Sequence, residues 1–200
     1  MGDELVYLEG MRWLRDYKFY HRLLRYFNPL VGDYWIGLHA EDGYTTASPP
    51  ADRLIACAYP ILRRMRFDQV RFVVHSAGGA GALARVGIYR DNGDFYPGEL
   101  IQDFGDFDVS TSGGKYATID LTLDRGLYWI AYNNNDGSAA YRIYRALLVP
   151  RLSTPGAIEY PRHAYEVTQA YGALPSTFPA GGSTTSWGLL CKLRIAEILE

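Results

Sequence analysis

The stretch from Ala84 to Tyr132, ARVGIYRDNGDFYPGELIQDFGDFDVSTSGGKYATIDLTLDRGLYWIAY, decides the fold. Three runs in it alternate side chains about the backbone. Arg85 to Tyr89 puts Val86 and Ile88 on one face. Lys115 to Leu123 sets Ala117, Ile119, Leu121 and Leu123 against Tyr116, Thr118, Asp120 and Thr122. Gly126 to Tyr132 alternates Leu127, Trp129 and Ala131 with Tyr128, Ile130 and Tyr132. Successive side chains of an extended chain point to opposite faces, so a period of two predicts half-buried strands. Asp91-Asn92-Gly93-Asp94, Ser112-Gly113-Gly114 and Asp124-Arg125-Gly126 separate the runs and supply turn chemistry. This is the core of an antiparallel β-sandwich.

The pattern extends in both directions. Upstream, Arg53 to Tyr59 opens the sandwich with Ile55, Cys57 and Tyr59 in step, and Gln69 to His75 points Val70, Phe72 and Val74 inward. Before them, Gly32 to His39 reads as a short strand led by Tyr34, Trp35 and Ile36, and Ala40 to Pro50 as a polar loop. Downstream, Asn133-Asn134-Asn135-Asp136-Gly137 reads as a turn and Tyr141 to Val149 as a strand. Trp187 to Ile195 closes the sheet, with Cys191 in step with inward Leu189, Leu193 and Ile195, and with Lys192 and Arg194 outward. Ala196 to Glu200 is a short tail. Pro150 to Ser186 is long and rich in Pro, Gly, Ser and Thr, and carries Tyr160, Tyr165 and Tyr171. Such a loop is usually functional or contact-making. Its tyrosines are the candidate recognition surface; wrapping the end of the barrel with local packing is the other reading.

The hairpin and its neighbours resemble the β-sandwich modules of tailed-phage virion structural proteins, in tail, fibre and head-appendage or decoration proteins. The residues that carry the resemblance are Gly87-Ile88-Tyr89, Asp91-Asn92-Gly93, Tyr96-Pro97-Gly98, Ser110-Thr111-Ser112-Gly113 and Gly126-Leu127-Tyr128-Trp129. Ala51-Asp52-Arg53-Leu54 through Phe67-Asp68 matches the opening strand and its bend. Gly172-Ala173-Leu174-Pro175 and Thr177-Phe178-Pro179 match the closing loop. The resemblance implies a jelly-roll-like sandwich and a virion setting, with other virion proteins as partners, and it implies no reaction.

Met1 to Phe27 differs from the rest. Trp13, Tyr17, Tyr20, Leu24 and Phe27 step by four, three, four and three, which is one face of a helix, widened by Phe19 and Leu23. Arg15, Lys18, His21, Arg22 and Arg25 take the other side, and Asn28-Pro29 stops it. The helix either caps the open end of the sandwich or contacts neighbouring subunits. Burying each large apolar side chain is worth roughly 1.5–3 kcal/mol, so the face needs cover. The organisation expected is a helical tether and oligomer contact over residues 1–30, followed by a jelly-roll-like β-sandwich over 31–200. A homo-oligomer follows from the aromatic face. Three-fold symmetry is what the resemblance implies, since no heptads fix the number.

Composition narrows the classes. At 200 residues the chain can bury a core without metals or disulfides. A net charge of −2 argues against nucleic acid as the main partner. No run approaches roughly 18 apolar residues, so no membrane insertion is expected. Met1-Gly2-Asp3-Glu4 starts acidic and lacks a signal-peptide pattern, so the expectation is assembly into a virion in the host cytoplasm. The 17 tyrosines offer sticky surface for partners, a cell-surface glycan among them. Two cysteines, Cys57 and Cys191, make no framework or zinc site alone. They read as buried free thiols, or as a bridge between first and last strands.

The motifs that suggest chemistry are incomplete. Gly79-Ala80-Gly81-Ala82-Leu83-Ala84 precedes a strand, whereas a dinucleotide fingerprint needs a helix there to hold the pyrophosphate. Asp91, Asp94, Asp103, Asp106 and Asp108 lack the calcium-loop pattern and read as turn and strand-edge residues. Arg63-Arg64-Met65-Arg66 reads as a solvated edge. His21, His39, His75 and His163 are scattered, with no HExxH or nucleophile-elbow motif nearby. The expectation is a non-enzymatic protein without cofactor or metal: a tail, fibre or capsid-exterior component. A single jelly-roll capsid shell protein and a carbohydrate-binding module are the alternatives.

Overall fold

The computed structural model describes residues 29–35, 44–144 and 164–199. Its strands are β1 (Tyr34–Trp35), β2 (Tyr44–Ala47), β3 (Arg53–Ile61), β4 (Met65–Ser76), β5 (Leu83–Asp91), β6 (Pro97–Asp108), β7 (Gly113–Leu123), β8 (Gly126–Asn134), β9 (Ala140–Tyr144), β10 (Ala164–Thr168), β11 (Ser183–Thr185) and β12 (Lys192–Ile198). They form two antiparallel sheets. One runs β11-β10-β3-β8-β5-β6. The other is built on β4, with β7 along one edge and two strands in succession along the opposite edge. Met65 pairs with Leu123 of β7 and Ile198 of β12, and Val74 pairs with Gly113 of β7 and Tyr141 of β9. Beyond these lie β1, against β12, and β2, against β9.

The sheets face each other across one apolar core. Ile55, Cys57, Tyr59, Val86, Ile88, Ile130 and Tyr132 from the β3 sheet meet Phe67, Val70, Phe72, Val74, Leu121, Leu193 and Ile195 from the β4 sheet. The all-β sandwich expected from the alternating runs is therefore present. On β7 the alternation is clean: Ile119, Leu121 and Leu123 are buried while Tyr116, Thr118, Asp120 and Thr122 are exposed.

β4 changes phase midway. Met65 and Phe67 point inward from odd positions, then Val70, Phe72 and Val74 do so from even ones. Register shifts against β7 between Phe67 and Gln69, and against β12 between Arg194 and Ile195, mark the bulge that absorbs the extra residue. Without it, one half of the strand would show its apolar side chains to water. Asp68 sits in the bulge and accepts from Arg194 Nε at 2.7 Å and Nη2 at 2.9 Å. That hydrogen bonding holds the Asp68 carboxyl below the usual range.

The β3 sheet is apolar on its outer face as well. Leu54, Ala56, Ala58, Tyr89, Trp129 and Ala131 point away from the sandwich and are buried under Leu174 and Phe178. Residues 169–182 cross this face as a strap from the β10 side to β6. Gln169 N donates to Asp52 O (3.0 Å), Leu100 N to Ser176 O (2.9 Å) and Phe178 N to Gly98 O (2.8 Å). Tyr89 Oη donates to Pro175 O at 2.9 Å and Tyr96 Oη to Pro179 O at 2.6 Å.

Five expectations are corrected. β8, read as half-buried, is covered on both faces, because the strap lies where solvent was expected. Pro150 to Ser186 is not one loop: β10, the strap and β11 occupy its described part. Ala40 to Pro50 contains β2, whose Tyr-Thr-Thr residues favour extended chain although they are polar. Asn133 and Asn134 belong to β8 and are buried rather than in a turn. They and Asn135 tie the pole together: Asn133 Nδ2 donates to Gln169 O (3.0 Å), Asn134 Nδ2 to Asp136 O (2.6 Å) and Asn135 Nδ2 to Gly81 O (3.2 Å). Finally, β12 starts at Lys192 and continues to Ile198, so the first three residues of the expected tail, Ala196 to Ile198, are strand. The helix over Met1 to Phe27 lies outside the described residues, as do Ile36 to His39 and 145–163.

Two outcomes test this packing. A Cβ on Gly87 would stand 2.4 Å from Leu174 Cδ1 and 2.8 Å from Gln102 O. Gly87→Ala should therefore cost about 1–3 kcal/mol in urea unfolding by forcing the strap outward; an unchanged midpoint would mean that the strap is not seated there. The lowered Asp68 value means its contribution is complete above the unfolded aspartate value of about 3.9 and is lost as pH falls through the folded value. Both partners are partly exposed and screened by solvent, so Arg194→Gln should flatten the acid limb of the stability profile only slightly. Superimposable acid limbs would remove the pair from the account.

Candidate functional site

The tyrosines marked by sequence divide. Tyr160 lies outside the described residues, as do Trp13, Tyr17, Tyr20, Leu24 and Phe27. Tyr165 is half-buried on β10, its ring centroid 4.6 Å from Tyr96 and 5.6 Å from Trp129. Tyr171 begins the strap, donating Oη to Asp106 Oδ1 at 2.7 Å and N to Asp52 Oδ1 at 2.8 Å. Burial, then the bond to Asp106, pushes its hydroxyl pKa up. The structure does not bring Tyr165 and Tyr171 together into one open platform; both fasten the strap side of the β3 sheet.

The carboxylates also serve the fold. Asp103 and Asp106 grip Arg85 at 2.8 and 3.0 Å. Asp91 accepts the Trp129 indole N–H at 2.8 Å and Gly93 N at 2.8 Å. Asp108 receives Ser110 N at 2.8 Å. Asp94 is exposed in the β5–β6 turn, where its own N–H donates to Asn92 Oδ1 at 2.8 Å. Arg64 pairs with Asp124 (3.1 Å) and Arg66 with Glu197 (3.4 Å), as a solvated edge should, while Met65 between them is fully buried. Residues 79–84 lead into β5 and not into a helix. Of the histidines only His75 is described, exposed on β4. Among the described residues no group of three or more His, Cys, Asp or Glu is placed to hold a metal.

Cys57, on β3, and Cys191, just before β12, are buried in the inter-sheet core and are not joined by a disulfide. Burial pushes the Cys191 thiol up to about 12, and it pushes Cys57 higher.

The described surface does hold one cleft that the sequence reading missed. It lies on the outer face of the β4 sheet, in the gap between β12 with β1 and β9 with β2, and encloses about 400 Å³. Arg71 and Val73 of β4 form the floor, Lys192 and Tyr34 one wall, Arg142 and Tyr44 the other. The strand period explains why these side chains converge. Arg71 and Val73 alternate with buried Phe72 and Val74, Arg142 alternates with buried Tyr141 and Ile143, and Lys192 precedes buried Leu193. The Arg142 guanidinium lies over the Tyr44 ring, 4.3 Å from its centroid. Tyr34 Oη donates to Gln69 Oε1 at 2.5 Å. Arg142 Nε is buried with no hydrogen-bond partner among the described residues. Among the described residues no carboxylate lines the cleft. Its described lining offers cations and aromatic faces, and no nucleophile with a base beside it.

The signal was present but scattered. Lys192 was expected to point outward, yet Arg71 and Arg142 lie far apart in the chain and only the pairing of β4 with both β12 and β9 brings them together. No protein-family model matches the chain, and no curated protein matches it.

The thiol environment gives a direct test. At about pH 8 an exposed thiol of normal pKa, about 8.5, reacts readily with a disulfide reagent. Neither Cys57 nor Cys191 should react in the native protein, and both should in denaturant. Stoichiometric native labelling would contradict the burial.

Proposed function

We propose that this chain is a non-enzymatic virion structural protein, a tail, fibre or capsid-exterior component of a tailed phage or similar virus, working in attachment to a host surface. The observation that carries the reading is the strand order. Counting β1, β3, β4, β5, β6, β7, β8 and β12 as one to eight, the sheets run 1-8-3-6 and 2-7-4-5. That order supports reading the fold as the double Greek key of a jelly roll, an architecture of capsid and lectin domains; in that reading β9, β10 and β11 form one insertion before the last strand.

The resembling motifs support it by their positions. Gly87 admits the strap, Asp91-Asn92-Gly93 turns the β5–β6 hairpin with Gly93 at φ +98°, and Tyr96-Pro97-Gly98 receives the strap's far end. Trp129 fills the centre of the strapped face. All are parts of a scaffold, and the acidic side chains nearby are engaged in holding it. A single jelly-roll shell protein shares this strand order. A carbohydrate-binding module is the second reading, favoured by the cleft with its two tyrosines.

In this proposal residues 1–30 tether the sandwich and join copies, most simply as a trimer, through Trp13, Tyr17, Tyr20, Leu24 and Phe27. Cryo-microscopy of particles should place the protein on the exterior of a tail, fibre or capsid. A continuous lattice built of this protein would make it a shell, and its absence from particles would overturn the virion reading. Light scattering should give an oligomer for the full chain. Deleting residues 1–27 should leave a folded monomeric sandwich that fails to join particles; incorporation of that truncated form would overturn the tether.

A further inference from the structure

We propose that Asn92 is a self-modifying site, converted to aspartate and isoaspartate by attack of the Gly93 backbone nitrogen on the Asn92 carboxamide. Asn92 is the only asparagine of the sequence that glycine follows, and both residues are exposed in the turn between β5 and β6. Ring closure needs an unhindered nucleophile, and a Cβ built on Gly93 would meet nothing within 4 Å. Asp94 N donates to Asn92 Oδ1 at 2.8 Å. That bond folds the carboxamide back over the Gly93 peptide and sets a donor on the oxygen that gains charge as its carbonyl is attacked. Gly93 N donates to Asp91 Oδ1 at 2.8 Å, so a carboxylate already accepts from the nitrogen that must lose its proton. The Trp129 indole holds Asp91 from the other side, donating to Oδ2 at 2.8 Å. The other described asparagines lack this arrangement. Asn133 and Asn134 are buried, and Asn135 uses both ends of its amide, on Leu83 N and Gly81 O.

The step balances with water as the only co-reactant. The Gly93 nitrogen bonds to Asn92 Cγ, its proton passes by way of Asp91 to the amide nitrogen, and the bond from Cγ to that nitrogen breaks to release ammonia. The cyclic imide then adds water. Opening at Cγ gives aspartate. Opening at the Asn92 backbone carbonyl leaves the chain running through the side chain as isoaspartate, with an extra methylene in the backbone. That insertion falls beneath the far end of the strap. Asn92 N donates to Tyr96 O at 2.9 Å and closes the hairpin. Gly98 lies so near that a Cβ on it would come 3.1 Å from Asn92 Cβ, and Gly98 O accepts Phe178 N of the strap at 2.8 Å. Isoaspartate at position 92 therefore unseats this end of the strap. The inference goes beyond the virion reading and does not need it.

Peptide mapping by mass spectrometry of the full chain, aged at mildly alkaline pH, tests it, with methylation by an isoaspartyl methyltransferase as the measure of isoaspartate. Asn92 should convert while Asn133, Asn134 and Asn135 stay intact. Conversion should be about threefold or more faster in the folded chain than in urea. Asp91→Asn keeps an acceptor but removes the base; it should slow conversion in the folded chain by about that factor and leave the rate in urea unchanged. The comparison of folded and unfolded wild type needs no variant, so it decides even where Asp91→Asn loosens the turn. In the converted fraction, amide hydrogen exchange at Phe178 should quicken. Asn92→Asp, which adds the charge without the methylene, should leave that exchange as in the starting protein. An Asn92 that persists in the folded chain while it converts in urea overturns the proposal. So do equal rates in the two states, and a folded-state rate indifferent to Asp91→Asn. Unchanged exchange at Phe178 in the converted fraction overturns the unseating of the strap.

Discussion

A sheet that is apolar on both faces cannot stand at the surface of a molecule, and that constraint shapes this protein. β3 and β8 carry Ile55, Cys57, Ile130 and Tyr132 toward the partner sheet and Leu54, Ala56, Trp129 and Ala131 the other way. The first set makes the sandwich. The second requires another layer, and the chain supplies it by inserting β10, the strap and β11 before the closing strand. The strap has little regular secondary structure of its own, so its backbone groups need partners elsewhere. They find them in Asp52, Gly98, Leu100, Asp103 and the hydroxyls of Tyr89 and Tyr96. Two tyrosines have a structural role here: the rings of Tyr89 and Tyr96 pack on this apolar face while their hydroxyls close strap hydrogen bonds.

The β4 sheet solves a different problem. Its central strand must satisfy β7 on one edge and two successive strands on the other, and the bulge at Asp68 lets both halves keep their apolar side chains inward. Because β12 begins where β9 leaves the edge of β4, the outer surface is interrupted and a cleft opens over the floor of β4. The same division of one edge between two strands therefore sets both the core packing and the place where cations gather.

Much of the inner core was legible. Alternation alone identified Val86, Ile88, Ile119, Leu121, Val70, Phe72 and Val74, and it placed Cys191 with Leu189 and Leu193. What failed were the places where alternation carries no information. In β8 both residue sets are apolar, and no local rule says that a segment some forty residues later covers the second one. Asn133 and Asn134 have turn chemistry, but buried amide partners outweigh that preference. The phase change in β4 hid Met65 and Phe67 behind a basic cluster. Of the candidate site, single outward residues were visible, but their convergence belongs to the sheet topology. Tyr165 and Tyr171 were singled out for their residue type, which is the same for a strap fastener as for a binding surface.

The positions of the chain ends bear on mechanics. Gly32 N meets Ile195 O (2.8 Å), Tyr34 pairs with Arg194, and Leu199 N bonds to Arg64 O at 2.9 Å, so the chain enters and leaves at the pole that carries the β3–β4 and β7–β8 bends. The asparagine knot closes the opposite pole. A tensile load between the two ends would open β1 from β12 bond by bond, as a zipper parts, and would not shear whole ladders at once. The strap, fastened within the β3 sheet, stays outside that line of force. Under such a load the pairing of β1 with β12 yields before the rest of the sandwich deforms.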